Sequence, residues 1–412
     1  MTTRKKPELL LPASSLEVLK VAVDYGADAV YIGGELFSLR ANARNFSEED
    51  MEQGISYAHE NGRKVYVTMN ITAHNEDIEG IKDYIGTLNR LKPDAVIISD
   101  PGVFSLAKEY LDENIDIHIS TQANNVNYLT FEFWRKQGAK RVVTGRELSL
   151  KEIKEIRANI PDDLEIETFV HGAMCISYSG RCLLSNFMTG RDANKGECTH
   201  PCHWKYTLME ESRPGEYFPV YENDRGTYIF NSKDLCMIEY IPELVDAGID
   251  SFKIEGRMKT ALYVAAVART YRKALDDYFE SPEKYEKNME WYREEIAKCN
   301  YRNFTTGFFF GKPGTDAQVY DNNVYCRNYV YLGIADKINP DGSFFMMQRN
   351  KYCVDDEVEV MGYGGENHVT RVLHMWNEEG EEIVSCPHPK QIIRVMLALV
   401  PERGNIIRMK EE

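Results

Sequence analysis

The sequence predicts an α/β protein: a (β/α)8 TIM-like barrel carrying a large cysteine-bearing insertion after strand 7, followed by a small C-terminal all-β barrel domain. Three observations predict it. Eight β-rich runs alternate with amphipathic helical patterns between residues 8 and 279. Glycine recurs just before the next strand at Gly26, Gly62, Gly138 and Gly248, where helix C-caps fall. From residue 327 the pattern changes to short alternating runs separated by turn signals such as PDGS and NEEGEE.

The elements follow in order. ELLLPA (8–13) opens the barrel, and SLEVLKVAVDYG after it places apolar residues at 16, 19, 21 and 23 on one helical face. DAVYIGG (28–34) is a second buried strand ending in a glycine pair. Further strands are expected at KVYVTMN (64–70), DAVIISD (94–100), DIHISTQ (116–122), KRVVTGRE (140–147), LEIETFVHG (164–172) and DSFKIEGR (250–257). A doubly wound open sheet is the alternative, but no GxGxxG follows the first strand. The barrel is assigned to 1–281 with the insertion at about 172–228, a helical and aromatic connection to 282–326, and the β domain to 327–412.

Composition narrows the function classes. An apolar content of 43% is ordinary for a water-soluble globular chain, and no apolar run approaches the ~18 residues that span a bilayer. The start, MTTRKKPELLLPASS, has too short an apolar run for a signal-peptide core, so a cytoplasmic protein without membrane contact is expected. A net charge of −16 argues against indiscriminate binding to nucleic acid. The segment 171–205 is locally basic, at +2.

The first 32 residues of that segment, HGAMCISYSGRCLLSNFMTGRDANKGECTHPC (171–202), hold four of the nine cysteines: Cys175, Cys182, Cys198 and Cys202. In a reducing compartment clustered thiols point to metal or redox chemistry rather than to disulfides. The spacing Cys-x6-Cys-x15-Cys-x3-Cys suits an iron–sulfur cluster, expected to be [4Fe–4S]. Zinc is the alternative, although only the second pair resembles a zinc knuckle. A radical-SAM pattern fails because position 205 is Lys. Cys299, Cys326, Cys353 and Cys386 are expected to be packed small hydrophobes, and Cys236 is either a spare thiol or a replacement for Cys202 as ligand.

Active sites of such barrels lie at the C-terminal ends of the strands. Polar residues expected there are Asn70, Asp100, Thr121, Gln122, Arg146, Glu147, His171, Glu255 and Arg257, with Arg40 and Arg44 as outer candidates. Arg146, His171, Arg181, Glu255 and Arg257 are the candidate catalytic set. Paired arginines suit a carboxylate or phosphate, and the competing reading of each is a structural ion pair at the rim. No HExxH, GxSxG or P-loop is present. A cysteine–histidine nucleophile pair stays open, since His171, His200 and His203 flank the thiols.

ETFVHGAMCISYSGRCLLS (167–185) resembles the signature of peptidase family U32, the collagenase-like proteins. The likeness extends through GADAVYIGG, YVTMN, ISDPGV, STQANNVN, GRELSLKEI, RDANKGECTHPC, GTYIFNSKDL and SFKIEGRMK, and into the C-terminal module. Within the family it is most similar to the branch of tRNA hydroxylation proteins that help make 5-hydroxyuridine at the wobble position. The resemblance implies an iron–sulfur cluster on Cys175, Cys182, Cys198 and Cys202, prephenate as the hydroxyl source, and the tRNA anticodon loop as partner. A paralogous or identical subunit is a further candidate partner, since some relatives work in pairs. Tyr178, Phe187 and Trp204 are candidates for stacking on a splayed wobble base. The alternatives are a U32-type peptidase and a non-enzymatic tRNA-binding scaffold with structural zinc.

Overall fold

The computed structural model describes residues 5–38, 45–175, 177, 181–182, 184–191, 193, 196–201, 207–208, 218–219, 231–311, 318–319 and 326–411. Seven parallel strands lead the chain: β1 (Glu8–Pro12), β2 (Ala29–Gly33), β3 (Lys64–Met69), β4 (Ala95–Ile98), β5 (Asp116–Ile119), β6 (Arg141–Val143) and β7 (Glu165–Gly172). An eighth, β8 (Ser251–Ile254), pairs in parallel with β1 at one side and β7 at the other, Ser251 lying opposite both Glu8 and Glu167. The sheet is thereby closed, and the expected eight-stranded barrel is present.

The alternating helices form for local reasons. α1 (Leu16–Asp24), α2 (Glu48–Glu60), α5 (Tyr128–Gln137) and α6 (Leu150–Asn159) each start at a Ser or Asn whose side chain accepts a bond from the first helical turn. α4 (Pro101–Tyr110) uses Asp100 in the same way, with Pro101 at its first position. The long α3 (Ile78–Leu91) buries Ile81, Tyr84, Ile85, Leu88 and Leu91, a 3.6-residue stripe. Within the insertion α7 (Leu184–Thr189) is described, and α8 (Ile241–Asp246) returns the chain to the barrel. α9 (Ala261–Glu280), capped by Thr260, is buried over most of its length and continues into α10 (Pro282–Lys287) and α11 (Met289–Ile296).

The C-terminal module is an antiparallel sheet: β9 (Tyr329–Ile334), β10 (Phe344–Met347), β11 (Glu357–Met361), β12 (Asn367–Trp376), β13 (Ile392–Leu397) and β14 (Ile406–Lys410), plus a two-residue strand Glu382–Ile383. The path runs β9-β14-β11-β12-β13-β10 around its own core, which includes Leu332, Phe344, Val360, Met375 and Val395. Its β14–β11 half is fastened to the barrel. Tyr25 donates from its hydroxyl to the Met361 carbonyl at 2.7 Å and accepts from the Ile406 amide at 3.1 Å.

Beside that contact Glu295 of α11 bonds Arg408 of β14, at 2.7 Å, and Arg269 of α9, all three almost fully buried. Burial alone would raise the Glu295 pKa, but Arg408 and then Arg269 outweigh it and bring it to about 2. No described helix is long and apolar enough to cross a membrane.

Candidate functional site

Period-2 alternation along β7 and β8 decides which side chains enter the barrel. Glu167 and Phe169 of β7, and Lys253 followed by Glu255 and Arg257 beyond β8, all face inward. At the closed end Arg141 bridges Glu8 (2.6 Å), Glu165 (2.6 Å) and Glu167 (3.1 Å), and Lys253 meets Glu167 at 2.6 Å. Charges this deep are tolerated because each is paired. Above that layer Lys253 lies over the rings of Tyr31 (4.5 Å) and Phe169 (5.5 Å).

At the C-terminal ends of the strands these layers open into a small cavity of ≈ 60 Å³. At about 30 Å³ per water, that is the room taken by two waters or one carboxylate group. Polar groups at β3, β5, β6 and β8 line it: Thr68 and Asn70, Ser120, Thr121 and Gln122, Arg146, Lys253, Glu255 and Arg257. Arg146 stacks on Phe169 at 4.0 Å, donates from Nη1 to the Ala173 carbonyl at 2.9 Å, and pairs through Nη2 with Glu255 at 3.3 Å. Its Nε is buried with no hydrogen-bond partner among the described residues. A buried donor of that kind costs free energy unless a ligand accepts from it.

Arg257 is 4% exposed and donates from Nη1 to Ser38 Oγ at 2.6 Å and Thr68 Oγ1 at 2.8 Å. It reaches them only because Gly33 has no side chain: a Cβ there would stand 2.4 Å from Arg257 Nη1 and 2.3 Å from Ser38 Oγ. Gly172, at φ +108°, is required in the same way, since a Cβ would meet the Glu255 carbonyl oxygen at 2.4 Å. The two glycines let β2 and β7 end against the residues that line the mouth.

The insertion begins at that mouth. Arg181 donates from Nε to the carbonyl of Gln122, a cavity-lining residue, at 3.1 Å. Next to it Cys182 is buried, its sulfur accepting from the Leu184 amide at 3.3 Å. Ser185 of α7 bonds the segment bearing Cys198: its Oγ accepts from the Thr199 amide at 3.1 Å and donates to the Glu197 carbonyl at 3.4 Å. Cys175 is exposed and Cys198 half-buried. The all-sulfur donor set is chemically suited to iron–sulfur or zinc. Among the described residues no three Cys, His, Asp or Glu side chains are drawn together as ligands. Cys202, His203, Trp204, Tyr178, Arg40, Arg44 and the Phe187 side chain lie outside the described residues.

Of the sequence candidates, Arg146, Glu255 and Arg257 come together at the cavity with Asn70, Thr121 and Gln122, and Arg181 stands at its edge. Asp100 instead caps α4. His171 is not brought to the cavity. It packs against Tyr263 and Tyr271 of α9 and against Phe304, with Nδ1 3.4 Å from the Tyr271 hydroxyl. Burial, and secondarily Lys259, pushes its pKa down to about 3, so it is neutral. Cys236 lies beside His171 in an antiparallel pairing, and burial pushes its thiol up to about 12. Lys253, Phe169, Tyr31, Ser38 and Thr68 also build the site. The 253-255-257 alternation in SFKIEGR is the signal that points to Lys253.

A closed barrel, an arginine-lined mouth and a cysteine-bearing insertion define a barrel protein of one family in particular. Residues 14–319 match Peptidase family U32 and residues 327–408 match the Peptidase family U32 C-terminal domain; the chain belongs to this family. It is 42% identical over 405 residues to tRNA hydroxylation protein P1 of Bacillus subtilis, covering 98% of this chain and 95% of that protein. It is 37% identical to tRNA hydroxylation protein P of Escherichia coli, with 93% and 92% covered. The 23S rRNA 5-hydroxycytidine C2501 synthase of E. coli is 37% identical over 66% of this chain and 40% of its own length.

Proposed function

We propose that the chain is a tRNA-modifying enzyme that hydroxylates the wobble uridine to 5-hydroxyuridine. In this reading Cys175, Cys182, Cys198 and Cys202 hold an iron–sulfur cluster, and prephenate supplies the hydroxyl group. The observation that carries the reading is the pinning of the cysteine segment onto the arginine-lined mouth through Arg181 and Gln122. The names of the relatives support RNA hydroxylation as the class of reaction. When bound, the cluster supplies one-electron redox chemistry beside the mouth.

The chain's own residues bind and orient. The cavity at the strand ends accepts one carboxylate, which takes up the buried Nε–H of Arg146. Glu255 and Phe169 fix the Arg146 plane from one edge and one face. The rest of a dicarboxylate, and the uridine itself, lie above the strand ends beneath the insertion. Low dielectric at the cavity strengthens each of these contacts.

Two assays on anaerobically purified protein test the reading: iron and sulfide content, and mass spectrometry of tRNA nucleosides after reaction with prephenate. About four iron and four sulfide per chain, with 5-hydroxyuridine formed, are expected. Cys182→Ser is expected to lose both. Full modification by that variant, or stoichiometric zinc without iron, overturns the cluster. Gelatin cleavage that survives Cys182→Ser favours the peptidase reading instead.

A further inference from the structure

The β10–β13–β12 half of the C-terminal sheet carries an unusual face. β10, β13 and β12 are neighbours in antiparallel register, with Phe345 opposite Arg394 and Arg394 opposite Trp376. Their alternate residues Phe344, Met346, Ile393, Val395 and Met375 fill the module's core. The other alternation therefore points outward and presents a continuous row of flat and soft side chains. Arg394 lies 3.9 Å over the Trp376 indole, and His374 stacks on the same ring at 5.7 Å and 26°. Lys337 stands 5.9 Å over Phe345, while Met347 and Ile392 are 38% and 37% exposed.

The platform runs into a cleft of ≈ 980 Å³ between the module and the barrel. Phe345, Met347 and Ile392 are shared by both. The barrel side of the cleft is formed by α1 along its length, from Leu16 and Glu17 to Asp24, and by the C-terminal end of α2 at Tyr57 and Asn61. No residue that lines this cleft also lines the cavity at the mouth.

We infer that this platform and cleft bind unpaired bases of the substrate RNA at a segment remote from the reacting nucleotide. The inference rests on the RNA reading above. Planar guanidinium, indole, imidazole and phenyl groups on one face offer stacking surfaces that every base satisfies. The cations lie over rings and attract phosphate, and the carboxylates of Glu378 and Glu382 border β12 and β13. The cavity at the mouth is small, so recognition of one RNA among many calls for a second grip elsewhere on the chain. The β14–β11 half of the module is occupied by the Tyr25 and Glu295 contacts, leaving this half for a ligand.

The test is the affinity of the full chain for an unmodified tRNA transcript with a wobble uridine and, separately, for its isolated anticodon stem-loop. Trp376→Ala combined with Arg394→Ala is compared with wild type, and Phe345→Ala serves as an independent variant. Circular dichroism melting checks that each variant folds. Loss of one stacked base weakens binding by about 5-fold or more. The expected result is that loss for the full transcript, with stem-loop affinity unchanged. Full-transcript affinity within twofold of wild type in both variants overturns the inference, as does equal weakening for the stem-loop. Wild-type protein that binds neither RNA refutes the RNA reading itself, a distinct outcome.

Discussion

Gly33→Ala adds one carbon and tests whether the mouth depends on the seat of Arg257. The new Cβ would stand 2.3 Å from Ser38 Oγ, 2.4 Å from Arg257 Nη1 and 2.9 Å from its Cζ. Relief to ordinary van der Waals contact requires Arg257 to withdraw by roughly 1 Å. The guanidinium is buried, and its bonds to Ser38 and Thr68 are charge-assisted, each worth about 1.5–3 kcal/mol. Losing one of them corresponds to a fall of about 10- to 100-fold in any step that needs Arg257 in place. Gly33 is not in the left-handed region, so alanine costs its backbone nothing and the effect is local to the mouth. Gly62→Ala is the control. There φ is +66° and nothing lies within 4 Å of the added carbon, so stability falls by about 1 kcal/mol while the mouth is untouched. Single-turnover wobble-uridine hydroxylation, read as rate against co-substrate concentration, is the assay. If Gly33→Ala reacts with wild-type constants, the argument that Arg257 acts from its present position is refuted.

Arg146→Lys keeps the charge but loses the fork that holds Glu255, the Ala173 carbonyl and the spare Nε–H; half-saturating co-substrate should rise about 10-fold or more, measured by isothermal titration. His171→Phe replaces a neutral ring packed among Tyr263, Tyr271 and Phe304, so hydroxylation should persist; a tenfold loss at an unchanged melting temperature would show a chemical role. Glu295→Gln leaves Arg269 and Arg408 buried without their shared carboxylate and should cost about 3–5 kcal/mol by denaturant unfolding. The Glu295 pKa is lowered in the fold from 4.5 to about 2, so its contribution of about 3 kcal/mol is fully present above pH 4.5 and is lost as pH falls through 2. Stability profiles of wild type and Glu295→Gln should therefore converge across that window, and parallel profiles would refute the assignment.

The barrel was legible because its signals are local. Period-2 runs, capping Ser and Asn residues and glycines before strands each act within a few residues, and they agree with one another. The mouth was legible in part. Arg146, Glu255 and Arg257 follow from lying at strand ends, but His171 occupies a like position and turns toward α9, because the β7–β8 pairing shifts register by one residue between Phe169 and His171. That pairing joins residues more than 60 positions apart, and no local pattern announces it. Lys253 was not among the sequence candidates, although it alternates with Glu255 and Arg257. Only Glu167 on the neighbouring strand explains its burial. The stacking face of the module was hidden for the same reason: Phe345, Arg394 and Trp376 meet only through register.

The distribution of charge along the barrel axis explains why chemistry belongs at one end. At the closed end Glu8, Glu165 and Glu167 face two cations, Arg141 and Lys253, and the short contacts show every group engaged. Burial alone would raise the Glu8 pKa, but Arg141, with bonds from Tyr66 and Ser251, overrides it and holds the carboxyl below its ordinary value. His118, fully enclosed there, is pushed well down by burial and by the nearby cations, so it adds no positive charge. That layer is a closed electrostatic plug. The mouth is lined by Arg146, Arg257 and Glu255, and the buried Nε donor of Arg146 has no hydrogen-bond partner among the described residues. In a chain of net charge −16, two arginines thus line the place from which the cysteine-bearing insertion leaves the barrel. The anionic co-substrate proposed above would meet these arginines only after passing an acidic surface, so its selectivity would follow from where they stand.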